Sequence, residues 1–194
     1  MTTTFTLSTG DIASLQAGGS VTIQGPQGAV VTPPIVPPAS GPLKVVIAKN
    51  GLTPLWPQDY SYAAVITRSF PGGNGNANCI KVVASTWGAF QPSNNNGVAT
   101  DFSGCSIITV DVDAPQGSQF SVEFLRGGDL PIVGPTGNHF TKTKDGWETF
   151  TWPALQLMTD SSLGDVRKAI YKGAVQSQNN VPSFTYMVDN WGSY

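Results

Sequence analysis

Apolar and polar positions alternate most regularly in the last segment of the chain. There Phe184, Tyr186 and Val188 occupy one set of alternate positions, and Thr185, Met187 and Asp189 occupy the other. This period of two predicts a β-strand with two different faces, and its β-branched and aromatic residues are typical of half-buried strands. Because a frayed end would leave these rings without partners, we expect Phe184–Trp191 to lie inside its sheet.

Shorter segments with the same alternation recur from residue 43 onward. The other predicted strands are Leu43–Ala48, Tyr62–Phe70, Cys79–Thr86, Ser106–Asp113, Phe120–Arg126, His139–Lys144 and Trp147–Trp152. Loops rich in Gly, Asn and Pro separate them, and only Leu163–Tyr171 has a helical pattern. Short, regularly spaced strands predict an all-β fold, an antiparallel β-sandwich of the jelly-roll type that spans residues 43–194.

Residues 1–42 differ in composition from the rest of the chain. Asp11 is their only charged residue, and Thr3–Leu7 and Ser20–Gln24 alternate like short strands. Pro33–Pro38 must be extended, since proline fixes φ and lacks an N–H donor. We interpret residues 1–42 as an extended N-terminal arm and linker; the alternative is a segment that docks the domain onto a larger assembly.

Composition argues against several classes of function. Charged residues make up 11% of the chain, the net charge is −2 and the isoelectric point is about 5.1. Such a chain offers no basic surface for nucleic acid or for an anionic membrane. No apolar segment approaches the roughly 18 residues needed to cross a bilayer. We therefore expect neither nucleic acid nor a membrane as a partner.

The N-terminus and the cysteines bear on the cellular compartment. Met1–Ile12 has no Lys or Arg and no continuous apolar segment, so it does not match a secretory signal. Either a leader has been removed or the protein leaves its cell by another route, such as release by lysis as part of a virus particle. We expect an extracellular or virion-associated location. Cys79 and Cys105 are compatible with one disulfide or with two buried thiols.

Two segments near the end of the chain resemble strands of a known family. Phe184–Trp191 closes with Val-Asp-Asn after an aromatic residue, and Gly146–Pro153 contains the spacing W-x-x-aromatic-x-aromatic-P. Both resemble the final strands of jelly-roll carbohydrate-binding modules of the galactose-binding-like superfamily, with Leu163–Val175 in place of a short helical connection. The resemblance extends weakly back to Leu43. It implies a non-catalytic module that binds a polysaccharide or a cell-surface glycan.

Many members of that family carry a structural calcium ion that joins the first and last strands. The resemblance assigns Asp189 of the last strand to this site. Lys49 occupies the place where the first strand should supply an acid, so Asn50 or a backbone carbonyl would have to substitute. Calcium requires several oxygen ligands, and a nearby ammonium group opposes it. The alternative is that Asp189 and Asn190 cap a turn.

A sugar site combines flat aromatic side chains, which pack on C–H groups, with planar polar side chains that bond hydroxyl groups. Trp56 and Trp87 lie in polar, loop-like sequence and are either sugar platforms or core-edge residues, whereas Trp147 and Trp152 are interpreted as packing residues. The candidate partners around the platforms are Asp59, Tyr60, Tyr62, Gln91, Asn94 and Arg126.

Catalytic residues are difficult to assign. His139 is the only histidine, and no Gly-x-Ser-x-Gly elbow is present. Asp111, Asp113 and Glu123 are candidates for glycoside hydrolysis if they share one exposed face, but a solvated strand face carries such acids as well. We do not expect an enzyme. The alternatives to glycan binding are a structural protein of a larger particle, such as a phage tail or fibre component, and a small glycan-active hydrolase or lyase.

Overall fold

The computed structural model describes residues 42–94, 99–126, 130–132, 139–153, 168, 170–179 and 181–194. Its strands, in chain order, are β1 (Val45–Ala48), β2 (Gln58–Asp59), β3 (Tyr62–Pro71), β4 (Asn78–Phe90), β5 (Pro92–Ser93), β6 (Ile107–Asp113), β7 (Gln119–Arg126), β8 (Leu130–Ile132), β9 (His139–Thr141), β10 (Trp147–Pro153), β11 (Ile170–Ser177) and β12 (Phe184–Ser193). The described part of the chain contains no helix of the length and apolar character that crossing a membrane requires.

The strands form two antiparallel layers that share β4. The first layer has the order β10–β6–β12–β4–β3, with β1 paired to the end of β12. The second layer starts at the end of β4 and continues through β11 to β7, which also pairs with β8 and β9. β4 is 13 residues long, so it passes from one layer into the other, as strands at the corners of sandwiches do. The predicted all-β antiparallel sandwich is confirmed.

The core between the two layers is rich in aromatic rings. Trp191 of β12 packs against Phe90 of β4 and Phe124 of β7, with ring centroids 6.2 and 6.0 Å apart. The hydroxyl of Tyr186 donates to the carbonyl of Val175 at 2.7 Å, which satisfies a polar atom that β12 brings into the core. Burial raises the pKa of this hydroxyl far above its ordinary value. β12 lies between β4 and β6, as its sequence pattern predicts.

β11 is a strand that the sequence pattern did not predict. The predicted helical segments, Leu163–Tyr171 and the connection Leu163–Val175, lie partly outside the described residues, but Ile170–Ser177 is a strand. The helical prediction is wrong there. Gly173 faces the core, where an added Cβ atom would lie 2.8 Å from the ring of Trp191. A glycine therefore occupies a position where an apolar residue would have revealed the period of two.

Both cysteines are buried, free thiols. The hydroxyl of Ser193 donates to the Sγ atom of Cys105 at 2.9 Å. Burial, together with the charges of Asp189 and Asp113, raises the pKa of Cys79 to about 11, so this thiol is protonated at neutral pH. Of the two possibilities left open by the sequence, the structure has two buried thiols. The predicted N-terminal arm lies outside the described residues, apart from Pro42.

Candidate functional site

One outward face of the second layer carries polar side chains on neighbouring strands. Direct pairing aligns Tyr62, Ala89, Gln176, Ser121 and His139 in one row across β3, β4, β11, β7 and β9. Paired residues on adjacent strands point to the same side of a sheet, so these side chains share one surface. We call this surface, which is the outward side of β11, β7 and β9 with the adjoining ends of β3 and β4, the glutamine face.

Hydrogen bonds between side chains connect the centre of the glutamine face. Gln176 Nε2 donates to the Tyr62 hydroxyl at 2.7 Å and to the Trp87 carbonyl at 3.0 Å. Gln176 Oε1 accepts from Ser121 Oγ at 3.3 Å and from Gln178 Nε2 at 2.8 Å. Gln178 Nε2 also donates to Ser121 Oγ at 2.9 Å. These bonds orient both glutamine side chains and use both N–H groups and both lone pairs of the Gln176 amide, so Gln176 fixes the positions of its neighbours on this face.

Three exposed aromatic side chains stand at the β3 and β4 end of this face. Tyr60, Tyr62 and Trp87 are 41%, 44% and 48% exposed, although large aromatic side chains are mostly buried in folded proteins. Tyr62 and Trp87 are both bonded to Gln176. Exposed aromatic side chains, which can pack on C–H groups, and hydrogen-bonding side chains, which can bond hydroxyls, therefore occur on neighbouring strands, and sugar recognition uses both.

Trp87 lies in a bulge of β4. Between two paired positions, residues 85–88 of β4 face the single residue Ala63 of β3. The φ angle of Trp87 is 62°, in the left-handed region that bulky residues rarely adopt. Gly88 follows, and an added Cβ atom there would lie 2.3 Å from the Ala63 carbonyl oxygen. Bulges of this kind re-aim side chains, and strained backbone concentrates at functional positions.

Two charged residues also belong to the glutamine face. Burial, and then the nearby Glu123 carboxylate, raise the pKa of the Tyr62 hydroxyl, so this hydroxyl is protonated at neutral pH. The Nζ atom of the buried Lys172 lies 5.0 Å from the centre of the Tyr60 ring, a cation–π contact. Lys172 and Ala174 take alternate positions on β11, and Ala174 pairs with Glu123 of β7, so both charged residues lie on the same side of the sheet.

Trp56 does not belong to this face. It is fully buried, and its Nε1 atom donates to Thr100 Oγ1 at 2.9 Å. Its ring packs against three other aromatic side chains, Phe102, Phe124 and Trp191. The prolines beside Trp56 indicated an exposed loop, but the loop folds this ring into the core. A ring without an exposed surface cannot stack on a sugar, so the platform prediction for Trp56 is wrong.

The remaining predicted ligand residues occupy different places. Asp59 lies at the edge of the second layer, where it forms an ion pair with Arg68 at 3.6 Å. Gln91 lies between β4 and β5, and its backbone carbonyl accepts a hydrogen bond from Tyr60 N at 2.9 Å. The backbone of Arg126 pairs with β11, whereas its side chain lies outside the described residues.

The sequence pattern did not predict the centre of the glutamine face. Gln176 and Gln178 follow Leu163–Val175, whose pattern predicts a helical connection and not a strand. A usable signal exists, because Lys172, Ala174 and Gln176 take alternate positions beside the core residue Val175. That alternation would have placed both glutamines on the outward side of a strand.

The three acids considered for catalysis do not share a face. Asp111 and Asp113 lie on β6 in the first layer, whereas Glu123 lies on β7 in the second. Asp111 is only 4% exposed, because Thr149 and Asn74 cover its carboxylate through hydrogen bonds. The hypothesis of one exposed acidic face is wrong.

Asp111 and Asp189, which are directly paired on β6 and β12, form the centre of a second polar cluster. Asp189 is fully buried, and its Oδ1 atom accepts a hydrogen bond from Asn50 N at 2.9 Å. Its Oδ2 atom accepts from Asn74 N at 3.0 Å and from Asn76 Nδ2 at 2.8 Å. The predicted neighbours Asp189 and Asn50 therefore do meet, through the backbone N–H of Asn50. We call these residues, with Asn190, the Asp189 cluster.

Asp111 is held by side chains alone. Its Oδ2 atom accepts from Asn74 Nδ2 at 2.9 Å and from Asn190 Nδ2 at 2.7 Å, and its Oδ1 atom accepts from Thr149 Oγ1 at 2.6 Å. The two carboxylates are of the ligand type that a hard cation such as calcium prefers, but each of their oxygens already accepts at least one N–H or O–H bond, so a cation would have to displace some of these donors. Lys49, whose ammonium group argued against calcium, is exposed.

Carboxylates alone do not complete the ligand set of such a cation. Within the described ranges, no group of three or more His, Cys, Asp or Glu is arranged to hold a metal. Calcium takes six to eight oxygen ligands, so amide or carbonyl oxygens would have to complete the set.

Comparison with known proteins identifies the fold. No family model and no curated protein matches the chain. Among solved structures, a family 29 carbohydrate-binding module complexed with cellulohexaose is 11% identical, with 75% of this chain and 85% of that chain covered and a TM-score of 0.51. A variant of the same module complexed with mannohexaose is 8% identical, with 78% and 90% covered and a TM-score of 0.52.

An exo-β-agarase is also similar, at 9% identity and a TM-score of 0.54. The match covers 78% of this chain but only 25% of the agarase chain. At such identities the likeness shows the fold. The chain has the jelly-roll β-sandwich of carbohydrate-binding modules, as its sequence predicts.

Proposed function

We propose that this protein is a non-catalytic module that binds a polysaccharide on the glutamine face. The observation that carries the proposal is the bonded group of Trp87, Tyr62 and Gln176, in which one amide holds the Tyr62 hydroxyl and the Trp87 backbone carbonyl, and both aromatic side chains are exposed. The similar solved structures support it, because they include carbohydrate-binding modules in complex with two hexasaccharides.

The chemistry of the face suits binding better than hydrolysis. Glycoside hydrolysis generally requires two carboxylates across the scissile bond. Among the described residues of β7, β9 and β11, Glu123 is the only acid. The Tyr62 hydroxyl and the Gln178 amide oxygen offer a donor and an acceptor that fit neutral sugar hydroxyls, while Gln176 holds the groups around it in place. The similarity to agarases covers a quarter of their length, so it supports a shared module and not a shared reaction.

The test is a panel of polysaccharides and cell-surface glycans probed with the wild-type protein and with Trp87→Ala. Loss of an aromatic hot spot typically costs about 2 kcal/mol or more, so we expect binding to weaken by at least roughly tenfold. Val65→Ala is the control, since Val65 is 68% exposed on β3 and has no place in the proposed site. Binding that is equally strong in Trp87→Ala and in the wild type would overturn the proposal.

We also propose a structural calcium ion at the Asp189 cluster, as the family resemblance implies. The direct pairing of two carboxylates, Asp111 and Asp189, and the exposed position of Lys49 support it. Asp189, Asp111 and the amide oxygen of Asn190 are the residues that would hold the ion. Bound there, calcium would neutralise two buried carboxylates and link β6 to β12.

Attachment to a larger assembly through residues 1–42, and an extracellular or virion-associated location, are further proposals. The low charge and the proline-rich segment of these residues support them. Display in several copies would raise the avidity of a module whose single site is weak. Co-purification of the full chain with a particle, and its loss on deletion of residues 1–42, would test the docking role.

A further inference from the structure

The glutamine face continues beyond the aromatic end into a pocket at the opposite end of the row. This pocket has a volume of ≈ 300 Å³ and is lined by Gln119, Phe120, His139, Phe140, Thr141 and Gln178. We call it the His139 pocket. None of its side chains takes part in the aromatic group around Trp87.

Strand pairing places the His139 pocket on the same surface as that group. Gln119 pairs with Thr141, and Ser121 pairs with His139, so all four side chains point to the outward side. Gln178 connects the two regions, because its Nε2 atom donates both to Ser121 Oγ and to Gln176 Oε1. The row from Tyr62 to His139 crosses four gaps between strands, a span of about 19 Å at the usual strand spacing.

The pocket offers the chemistry of a second sugar site. Gln119 and Gln178 supply amides, Thr141 a hydroxyl and His139 an imidazole, all of which bond hydroxyl groups. The ring of Phe140 stacks between Phe120 and Phe150 on the core side of β9, so the contacts that the pocket offers to a sugar come from these polar side chains. His139 and Thr141 are exposed, so a ligand can reach them without any rearrangement.

We propose that the His139 pocket is a second sugar-binding subsite, and that the glutamine face holds an extended glycan chain across its strands. This inference rests on the proposed function and specifies its ligand. The site takes several consecutive sugars of a linear polysaccharide, with one part of the chain against Trp87 and Tyr62 and another part in the His139 pocket. A single sugar fills only one of these regions.

The experiment measures affinity by titration calorimetry for trimers and hexamers of one glycan. The probes are cellotriose and cellohexaose, mannotriose and mannohexaose, and the trimer and hexamer of whichever panel polysaccharide binds. We expect the wild-type protein to bind the hexamer at least about tenfold more tightly than the trimer. The double variant His139→Ala/Thr141→Ala should lose most of this difference and bind the trimer as the wild type does.

Gln116→Ala is the control for this variant, because Gln116 is exposed and lies outside both regions. Equal affinity for trimer and hexamer, or a hexamer affinity unchanged in the double variant, would overturn the second subsite and leave the proposed function intact. Trp87→Ala should weaken both oligosaccharides. If no polysaccharide of the panel binds, the proposed function fails, and the second subsite fails with it.

Discussion

Gln176 is the residue on which the proposed site depends most. Its amide bonds to Tyr62, to the Trp87 backbone, to Ser121 and to Gln178. Because these four bonds use every donor and lone pair of the amide, Gln176 acts by holding the Tyr62 hydroxyl and the Trp87 backbone in place, so these groups can meet a ligand with a smaller loss of side-chain entropy. The exposed rings and the amide therefore act as one preorganised group.

Replacement of Gln176 should weaken glycan binding more than it weakens the fold. Gln176→Ala releases the Tyr62 hydroxyl and the Trp87 carbonyl; each neutral hydrogen bond contributes about 0.5–1.5 kcal/mol, so affinity should fall by roughly tenfold. The urea midpoint should shift little, because Gln176 is only half-buried. Gln116→Ala, an exposed glutamine in a turn, should leave both quantities unchanged. Unaltered affinity in Gln176→Ala would show that the amide is not part of the site.

Trp56 and Trp87 should respond in opposite ways to truncation. Trp56 is fully buried among aromatic rings, and removing such a side chain typically costs about 3–5 kcal/mol. We expect urea unfolding of Trp56→Ala to show a loss of that size, whereas Trp87→Ala should lose under about 1 kcal/mol. A Trp87→Ala protein as unstable as Trp56→Ala would contradict the assignment of Trp87 to the surface.

The strained backbone at Trp87 gives a second residue-level test. Trp87 has φ = 62°, a conformation that glycine adopts freely but that costs an L-residue about 1–2 kcal/mol. Glycine also loses more chain entropy on folding, by about 0.5–1 kcal/mol. Trp87→Gly should therefore be more stable than Trp87→Ala by up to about 1 kcal/mol in urea unfolding, and both should lose glycan binding. A clearly less stable glycine variant would argue against the strained bulge.

Sequence could predict the type of side chain in the site but not which tryptophan supplies it. Trp56 and Trp87 both lie in polar, irregular sequence. The burial of Trp56 depends on Phe102 and Phe124, residues far away along the chain. The outward position of Trp87 depends on a bulge opposite Ala63. Neither long-range packing nor a bulge leaves a period in the local sequence.

One buried cation, the ammonium group of Lys142, stabilises the turn between β9 and β10. The Lys142 side chain is fully buried, donates from Nζ to the carbonyls of Val112 and Gly146, and pairs with Glu148 at 3.4 Å. Burial by itself raises the pKa of Glu148, but hydrogen bonds from Thr143 and the charge of Lys142 outweigh it and lower that pKa. The ionised form of Glu148 is therefore favoured in the folded protein.

This lowered pKa predicts a defined pH dependence of stability. A carboxyl with a depressed pKa stabilises the fold above its ordinary value of 4.5, and the contribution is lost as the pH falls through the lower folded-state value. The wild type should be more stable than Glu148→Gln at neutral pH, and the difference should shrink below pH 4.5. Burial raises the pKa of Asp113. Because Asp113 is present in both proteins, its contribution cancels in the difference. Urea midpoints of both proteins across the pH range would measure this difference. A difference that stays constant down to low pH would contradict the stabilising role of ionised Glu148.

At the level of elements, regular strands were predictable and interrupted ones were not. β6 and β7 follow their predicted spans within a residue, because their alternation of core residues is unbroken. β11 was not predicted, because the ring of Trp191 leaves no room for a side chain at Gly173. The glycine interrupts the apolar alternation that predicts a strand. Core packing has therefore removed the apolar alternation from the strand that carries Gln176.

For the whole molecule, the Asp189 cluster should be a main source of stability. Asp189 satisfies two backbone N–H groups and one amide from two separate loops. Buried donors left without a partner cost about 1–3 kcal/mol each, so Asp189→Ala should lose about 3 kcal/mol or more in urea unfolding. Asp145→Ala, which removes an exposed acid with a bond to Gln116 N, should lose under about 1 kcal/mol.

The same variants test the proposed calcium ion. An ion that binds only the folded state raises its stability, so millimolar calcium should raise the melting temperature of the wild type, and a chelator should reverse the effect. Asp189→Ala should not respond. A wild-type melting temperature that is the same with calcium and with chelator would contradict the calcium proposal and leave the hydrogen-bonded cluster as the full account.

The all-β sandwich was predictable from the whole chain because it follows from many independent alternations. The way its two layers bring residues together was not. The acids of β6 and β7 look equivalent in sequence, yet Asp111 enters a buried cluster and Glu123 lies on the glutamine face. That difference comes from the order of strands in the sheet, which no single segment encodes.

Mapping a bound glycan by nuclear magnetic resonance tests the central claim most directly. The full chain, labelled with ¹⁵N, would be titrated with the panel glycan that binds most strongly. The side-chain amide signals of Gln176 and Gln178, and the indole signal of Trp87, should shift, while the buried indole of Trp56 and the amides of the Asp189 cluster should not. Shifts confined to the Asp189 cluster, with the glutamine face unaffected, would contradict the account.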